Sequence, residues 1–198
     1  MATTNLIGSD TMARGVPRPA LVSNQVLGVV ILVATEVMFF AGLVSAFLIG
    51  KAGARAWPPP DQPRLPVEAT AVLTAVLLVS GILLSLVGSR PDLGRGRLRR
   101  LLPWSASLGV LFVGLQGVEW VRLVGFGLTM TSSTYGAFFY VVVGAHALHV
   151  LTGVLALAWV AVRLETGRLA WETFRAVRIF WYFVVGLWPI LYALVYLG

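Results

Sequence analysis

Five long apolar runs constrain the fold of this chain more than any other feature. They cover residues 25–50, 68–89, 101–128, 135–162 and 179–197, with polar or proline-rich segments between them. An α-helix rises about 1.5 Å per residue, so roughly 20 apolar residues cross the hydrocarbon core of a bilayer. Lipid offers the backbone no hydrogen-bond partners, so an isolated apolar span must be helical. The runs therefore predict an all-α integral membrane protein, a bundle of five transmembrane helices.

The composition supports this class of protein. Of the 198 residues, 58% are hydrophobic and 12% are charged, whereas a soluble domain carries about 25% charged residues. The absence of cysteine excludes disulfides and thiolate metal sites. The net charge of +7 comes from arginines in short segments between apolar runs, so it indicates membrane orientation rather than nucleic-acid binding.

The distribution of basic residues predicts the topology. Eleven of the 15 Lys and Arg residues fall on one side of the five predicted spans and four on the other. The positive-inside rule then places the N-terminus in the cytoplasm and the C-terminus outside. Residues 1–24 are expected to form an irregular cytoplasmic tail rather than a signal peptide, because residues 1–10 have no basic region and the first apolar run is too long for the apolar core of a signal peptide. Residues 25–198 are expected to form a single transmembrane domain.

Local features refine the expected helix ends. The segments 90–100 and 163–178 are charged and are expected to connect helices, as is the proline-rich segment 51–67. Pro189 should kink the fifth helix. Six glycines are interpreted as sites of close helix packing: Gly28, Gly42, Gly109, Gly117, Gly144 and Gly153.

Glu36 lies in the middle of the first run, where an ionised carboxylate costs several kcal/mol. We therefore expect it to be protonated, or paired with a histidine or another donor on a different helix. One interpretation makes Glu36 a candidate proton carrier. The alternative is a neutral acid that holds two helices together.

His146 and His149 are three residues apart in the fourth run, so they share one helix face. Two ligands on opposite faces of one haem iron cannot come from adjacent turns of one helix. A di-metal carboxylate site would need Glu-x-x-His motifs, which this sequence lacks. The pair is interpreted as hydrogen-bonded structural or lipid-binding histidines, with a proton relay as the alternative. Glu36, Gln116, Thr152 or bound lipid are their candidate partners.

Gln116 and Glu119 share a face of the third predicted helix, and Glu119 is expected to pair with Arg122 or to reach water. The sequence has no glycine-rich phosphate loop and no nucleophile with a matching base. No catalytic, cofactor-binding or metal-binding residue is predicted. A five-helix protein with scattered buried polar groups is typical of a subunit of a larger assembly.

Three stretches together resemble a known family. The first is Ala34-Thr35-Glu36-Val37-Met38-Phe39-Phe40, and the second is Trp57-Pro58-Pro59. The third runs from Tyr135 to Val150, where the two histidines follow an aromatic run. These motifs resemble subunit III of the haem–copper oxidases, also called cytochrome c oxidase subunit III.

The resemblance implies a non-catalytic subunit of an aerobic terminal oxidase in a bacterial inner membrane. Such a subunit packs on catalytic subunit I in a complex that also contains subunit II, binds phospholipid and supports sustained turnover and proton uptake. Haem and copper then belong to the partner subunits. Glu36 matches the family's buried, carbodiimide-reactive carboxylate. Many members have seven helices, and this chain corresponds to the last five.

One motif departs from the family pattern. The last helix of the family usually carries Trp-His-Phe-x-Asp, whereas this chain has Trp181-Tyr182-Phe183-Val184-Val185.

Two alternatives to the oxidase interpretation remain at this point. The chain could be the related five-helix accessory subunit of a nitric oxide reductase, or an independent proton channel or carrier that uses Glu36 and the histidines.

Overall fold

The computed structural model describes residues 23–60, 62–88 and 91–198, so the predicted N-terminal tail lies almost wholly outside the described residues. The described part contains five α-helices and no strand: α1 (Asn24–Ala52), α2 (Val67–Ser85), α3 (Pro91–Gly125), α4 (Thr134–Glu165) and α5 (Trp171–Tyr192). A π-helical segment, Ala193–Leu197, continues α5. All five helices are long and apolar enough to cross a membrane. The all-α, five-span prediction is therefore confirmed.

Serine caps fix the beginnings of two helices. The backbone N–H of Val26 donates to Ser23 Oγ at 3.4 Å before α1, and that of Gly136 donates to Ser133 Oγ at 3.1 Å before α4. These bonds satisfy N–H groups that have no partner within the first helical turn. Both helices consequently begin next to the apolar runs that predicted them.

Two helices begin within charged segments that were expected to be connections. Helix α3 begins at Pro91 and α5 at Trp171, so much of the charge in segments 90–100 and 163–178 lies on helix ends. Proline is well suited to a first helical position, and Glu172 in the first turn of α5 complements the helix dipole. Charged residues oppose burial in lipid but do not oppose helix formation. The helices therefore continue beyond their apolar portions.

Helix α5 occupies the centre of the bundle. It packs against α1, α2 and α4, while α3 packs between α2 and α4. Trp181 of α5 is fully buried, and its indole lies against Gly109 of α3 and Gly153 of α4. The same indole N–H donates to Ser80 Oγ of α2 at 3.1 Å. One side chain thus contacts three neighbouring helices.

Helix α1 lies at the periphery, against α5 and α4. Its outward side is strongly exposed, with Met38 76% and Ile49 74% accessible. Two polar contacts tie its first turn to α5: Ser23 Oγ donates to Glu172 Oε2 at 3.0 Å, and Thr173 Oγ1 donates to Gln25 Oε1 at 2.9 Å. The exposed apolar face is suited to contact with lipid or another membrane subunit.

Candidate functional site

Glu36 and His149 meet between α1 and α4. Glu36 Oε2 lies 3.0 Å from His149 Nε2, and both residues are near the middle of their helices. Their side chains remain 23% and 16% accessible, so the pair lies near the bundle surface rather than in its centre. The geometry joins two helices through one ionisable pair at the depth where an unpaired charge is most costly.

The second nitrogen of His149 is also engaged. Its Nδ1 lies 2.7 Å from the carbonyl oxygen of Ala145, one turn earlier in α4. The imidazole is flanked by aromatic rings: the centroids of Phe40, Phe180 and Phe39 lie 5.1, 6.3 and 6.4 Å from that of His149. Both ring nitrogens therefore have a partner, and the ring plane is held on several sides by apolar groups.

His146 has a different environment although it lies one turn away. Its side chain is 1% exposed and stacks on Trp188 with ring centroids 4.8 Å apart. Phe40 and Phe112 approach it edge-on, each at 6.4 Å. Within the described ranges, neither ring nitrogen has a hydrogen-bond partner. The two histidines share a helix face, yet Glu36 bonds only to His149.

Gln116 and Glu119 take separate partners. Gln116 is 2% exposed, and its Nε2 donates to Tyr196 Oη at 3.1 Å. Glu119 forms an ion pair with Arg122 at 2.7 Å, in which the arginine side chain is 63% accessible. Thr152, another candidate partner of the histidines, instead donates to the carbonyl of Leu148. The structure therefore brings together only Glu36 and His149 from the predicted set.

Sequence reasoning missed a polar contact between α2, α3 and α5. Ser80 Oγ donates to the carbonyl of Ser105, Ser105 Oγ donates to the carbonyl of Ser80, and both bonds are 2.9 Å long. Trp181 joins this group through Ser80, and Trp188 Nε1 donates to Thr74 Oγ1 at 2.9 Å. The second apolar run contains small hydroxyl residues among its aliphatic side chains. Its hydroxyls, together with the tryptophans of the last run, were the available signal.

The two positions that depart from the family pattern have distinct surroundings. Tyr182 is 37% exposed, and the Arg178 guanidinium lies 6.0 Å from its ring centroid. Val185 is buried against Gly81 of α2. A Cβ added at Gly81 would lie 2.9 Å from Val185 Cγ1. An apolar contact therefore occupies position 185, where the family usually has aspartate.

Among the described residues, no group of three or more His, Cys, Asp or Glu side chains could hold a metal ion. The site consists of one acid–imidazole pair, one fully buried histidine and a set of hydrogen bonds between helices. Such groups can exchange a proton or hold helices together.

Comparisons with known proteins give the context of this site. The family model for cytochrome c oxidase subunit III matches residues 5–198. A probable cytochrome c oxidase subunit 3 of Nocardia farcinica is 32% identical over 90% of this chain and 89% of its own length. A protein of the same name from Mycobacterium leprae is 30% identical over 98% of both chains. A heme–copper oxidase subunit I+III of Aeropyrum pernix is 32% identical over 84% of this chain and 22% of its own length.

Proposed function

We propose that this chain, which belongs to the cytochrome c oxidase subunit III family, stabilises an aerobic haem–copper terminal oxidase by packing on its catalytic subunit I. Membership of this family makes the chain a non-catalytic part of a multi-subunit membrane complex. The observation that carries the proposal is the match over residues 5–198, which includes all five helices.

Contact with subunit I is supported by the relative from Aeropyrum pernix. Its name combines subunits I and III, and the matched part covers 22% of its length. Two subunits encoded in one chain are well placed to pack together. The exposed apolar side of α1 offers this chain a surface for such packing. We place haem and copper in subunits I and II and none in this chain.

We further propose that phospholipid binds beside the Glu36–His149 pair. One apolar groove, of about 360 Å³, is lined by residues that include Val29, Trp159 and Phe180. A second, of about 440 Å³, runs between α1 and α5 past Phe40 and Leu187. Acyl chains match the shape and polarity of such grooves. Bound lipid would exclude water from the pair and so support sustained turnover and proton uptake by the complex.

The chain is a multi-pass membrane protein, and we place it in the bacterial inner membrane. This location is the one expected for a complex of aerobic respiration with the bacterial relatives described above. The N-terminus is proposed to face the cytoplasm because the basic residues are concentrated on that side of the spans.

Co-purification tests the proposal directly. The full chain, tagged at one end and extracted in mild detergent, should bring down subunit I with its haem absorbance. A nitric oxide reductase partner would replace the proposed oxidase function with the accessory role in that enzyme. A chain that migrates alone, and conducts protons in vesicles, would contradict the proposal altogether.

A further inference from the structure

The geometry points to a closed proton-binding site at Glu36 and His149: one proton is held between Glu36 Oε2 and His149 Nε2, and Ala145 blocks its onward transfer through the imidazole. The occupant of the site is a single proton. The inference rests on the two contacts of the His149 ring and on its surroundings, and it does not depend on which complex contains the chain.

The contact with Ala145 fixes one proton on the ring. A carbonyl oxygen can only accept a hydrogen bond, so at 2.7 Å the Nδ1 atom must carry the hydrogen and donate it. The same carbonyl also accepts the backbone N–H of His149, because Ala145 lies four residues before it in the helix. The Nδ1 proton is thus directed at an atom that cannot take it up.

The contact with Glu36 then requires one more proton. A neutral ring with hydrogen on Nδ1 has a lone pair on Nε2, and this lone pair would face a carboxylate lone pair at 3.0 Å if Glu36 were ionised. Two acceptors cannot form a hydrogen bond. The contact therefore contains a proton, either on Glu36 or on Nε2, and in both arrangements the pair has no net charge.

The surroundings favour the arrangement with two neutral groups. Phe39, Phe40 and Phe180 flank the ring, and the pair lies at the middle of apolar helices. Separated charges are costly in such a medium unless further hydrogen bonds satisfy them. Glu36 accordingly donates its O–H to His149 Nε2.

This arrangement holds a proton but does not relay it. Relay through an imidazole takes up a proton at one nitrogen and releases another from the second nitrogen. Within the part of the chain that the structure describes, the acceptor of the Nδ1 proton is the carbonyl of Ala145. A proton that enters at Glu36 must leave at Glu36, on the side where the pair is partly accessible.

Infrared spectroscopy of the full chain, purified with whichever subunits accompany it, tests the position of the proton. The difference between wild type and Glu36→Gln should show the loss of one protonated-carboxyl C=O band. In His149→Phe, which keeps an aromatic ring among Phe39, Phe40 and Phe180, the band should persist and move to higher frequency because its acceptor is gone. Carboxylate bands lost in Glu36→Gln, or a band unmoved in His149→Phe, would overturn the proposal.

Nitrogen NMR with ¹⁵N-labelled histidine tests the closed side of the site. The signals that disappear in His149→Phe should be those of a neutral ring protonated at Nδ1 and bare at Nε2. A ring protonated at Nε2, or at both nitrogens, would contradict the inference. If His149→Phe does not assemble, Glu36→Gln serves instead, because its amide N–H can still donate to Nε2 and should leave the ring protonated at Nδ1. Failure of co-purification would remove the proposed function while leaving both measurements possible on the chain itself.

Discussion

At the scale of single residues, Trp181 shows which glycines the bundle requires. A Cβ added at Gly109 or at Gly153 would lie 2.7 Å from the Trp181 ring, closer than real Cβ contacts come. Among the described residues, no neighbouring atom lies within 4 Å of a Cβ added at Gly28, Gly42 or Gly117, so the prediction of close helix packing at these three positions is wrong for this part of the chain. Glycine in a membrane helix indicates a close contact only when a large partner lies opposite, and the sequence does not reveal that partner.

Gly153→Leu should therefore lower stability. The added side chain would force Trp181 away from Ser80, and overpacking of this kind typically costs about 1–3 kcal/mol. Thermal unfolding in detergent, followed by tryptophan fluorescence, measures the change. Gly114→Leu makes the same substitution at an open position of α3 and should unfold near the wild-type temperature. Equal losses in the two variants would rule out the packing explanation.

Ser80→Ala should also destabilise the chain. It removes the acceptor of the Trp181 indole N–H in a buried site, and an unsatisfied buried donor costs about 1–3 kcal/mol. Ser85→Ala is the matched control, since that exposed hydroxyl donates to the carbonyl of Ile82 in its own helix. The same unfolding assay should show a clear loss for position 80 and little change for position 85.

At the scale of helices, hydropathy predicted the number of spans but not their full length. An apolar run contains only residues that lipid can surround, so each predicted span ends where the arginines begin. Helices α3 and α5, in contrast, start before their apolar portions. The sequence also did not determine which histidine pairs with Glu36. His146 and His149 share one face, and only the packing of α1 on α4 selects His149. Such rotation about the helix axis is set by the whole contact surface, not by local pattern.

Helix α5 allows the departure from the family motif to be tested. Val185→Asp would place a carboxylate against Gly81 in a site that is 6% exposed. It should destabilise the bundle by several kcal/mol, because no described contact there offers a donor. Tyr182→His restores the other family residue at a half-exposed position and should change stability by less than about 1 kcal/mol. An aspartate tolerated at 185 would show that α2 and α5 can separate to hydrate it.

At the scale of the whole molecule, an odd number of spans places the two ends of the bundle on opposite sides of the membrane. The chain contains no cysteine, so single cysteines report topology without background. A membrane-impermeant maleimide added to intact cells should label Ala54→Cys. It should label Thr166→Cys only after permeabilisation. The reverse pattern would invert the proposed orientation and leave the five-helix fold unchanged.

The acid–imidazole pair also has a consequence for biosynthesis. Glu36 and His149 are 113 residues apart. At a synthesis rate of about 5–20 residues per second, the nascent acid waits on the order of ten seconds for its partner to leave the ribosome. Helix α1 contains fifteen Val, Leu, Ile and Phe residues. Each contributes about 0.3–0.6 kcal/mol of favourable insertion free energy, and together they outweigh the cost of roughly 3 kcal/mol for inserting one charged side chain through the translocon. The first helix can thus enter the bilayer alone and receive its histidine later.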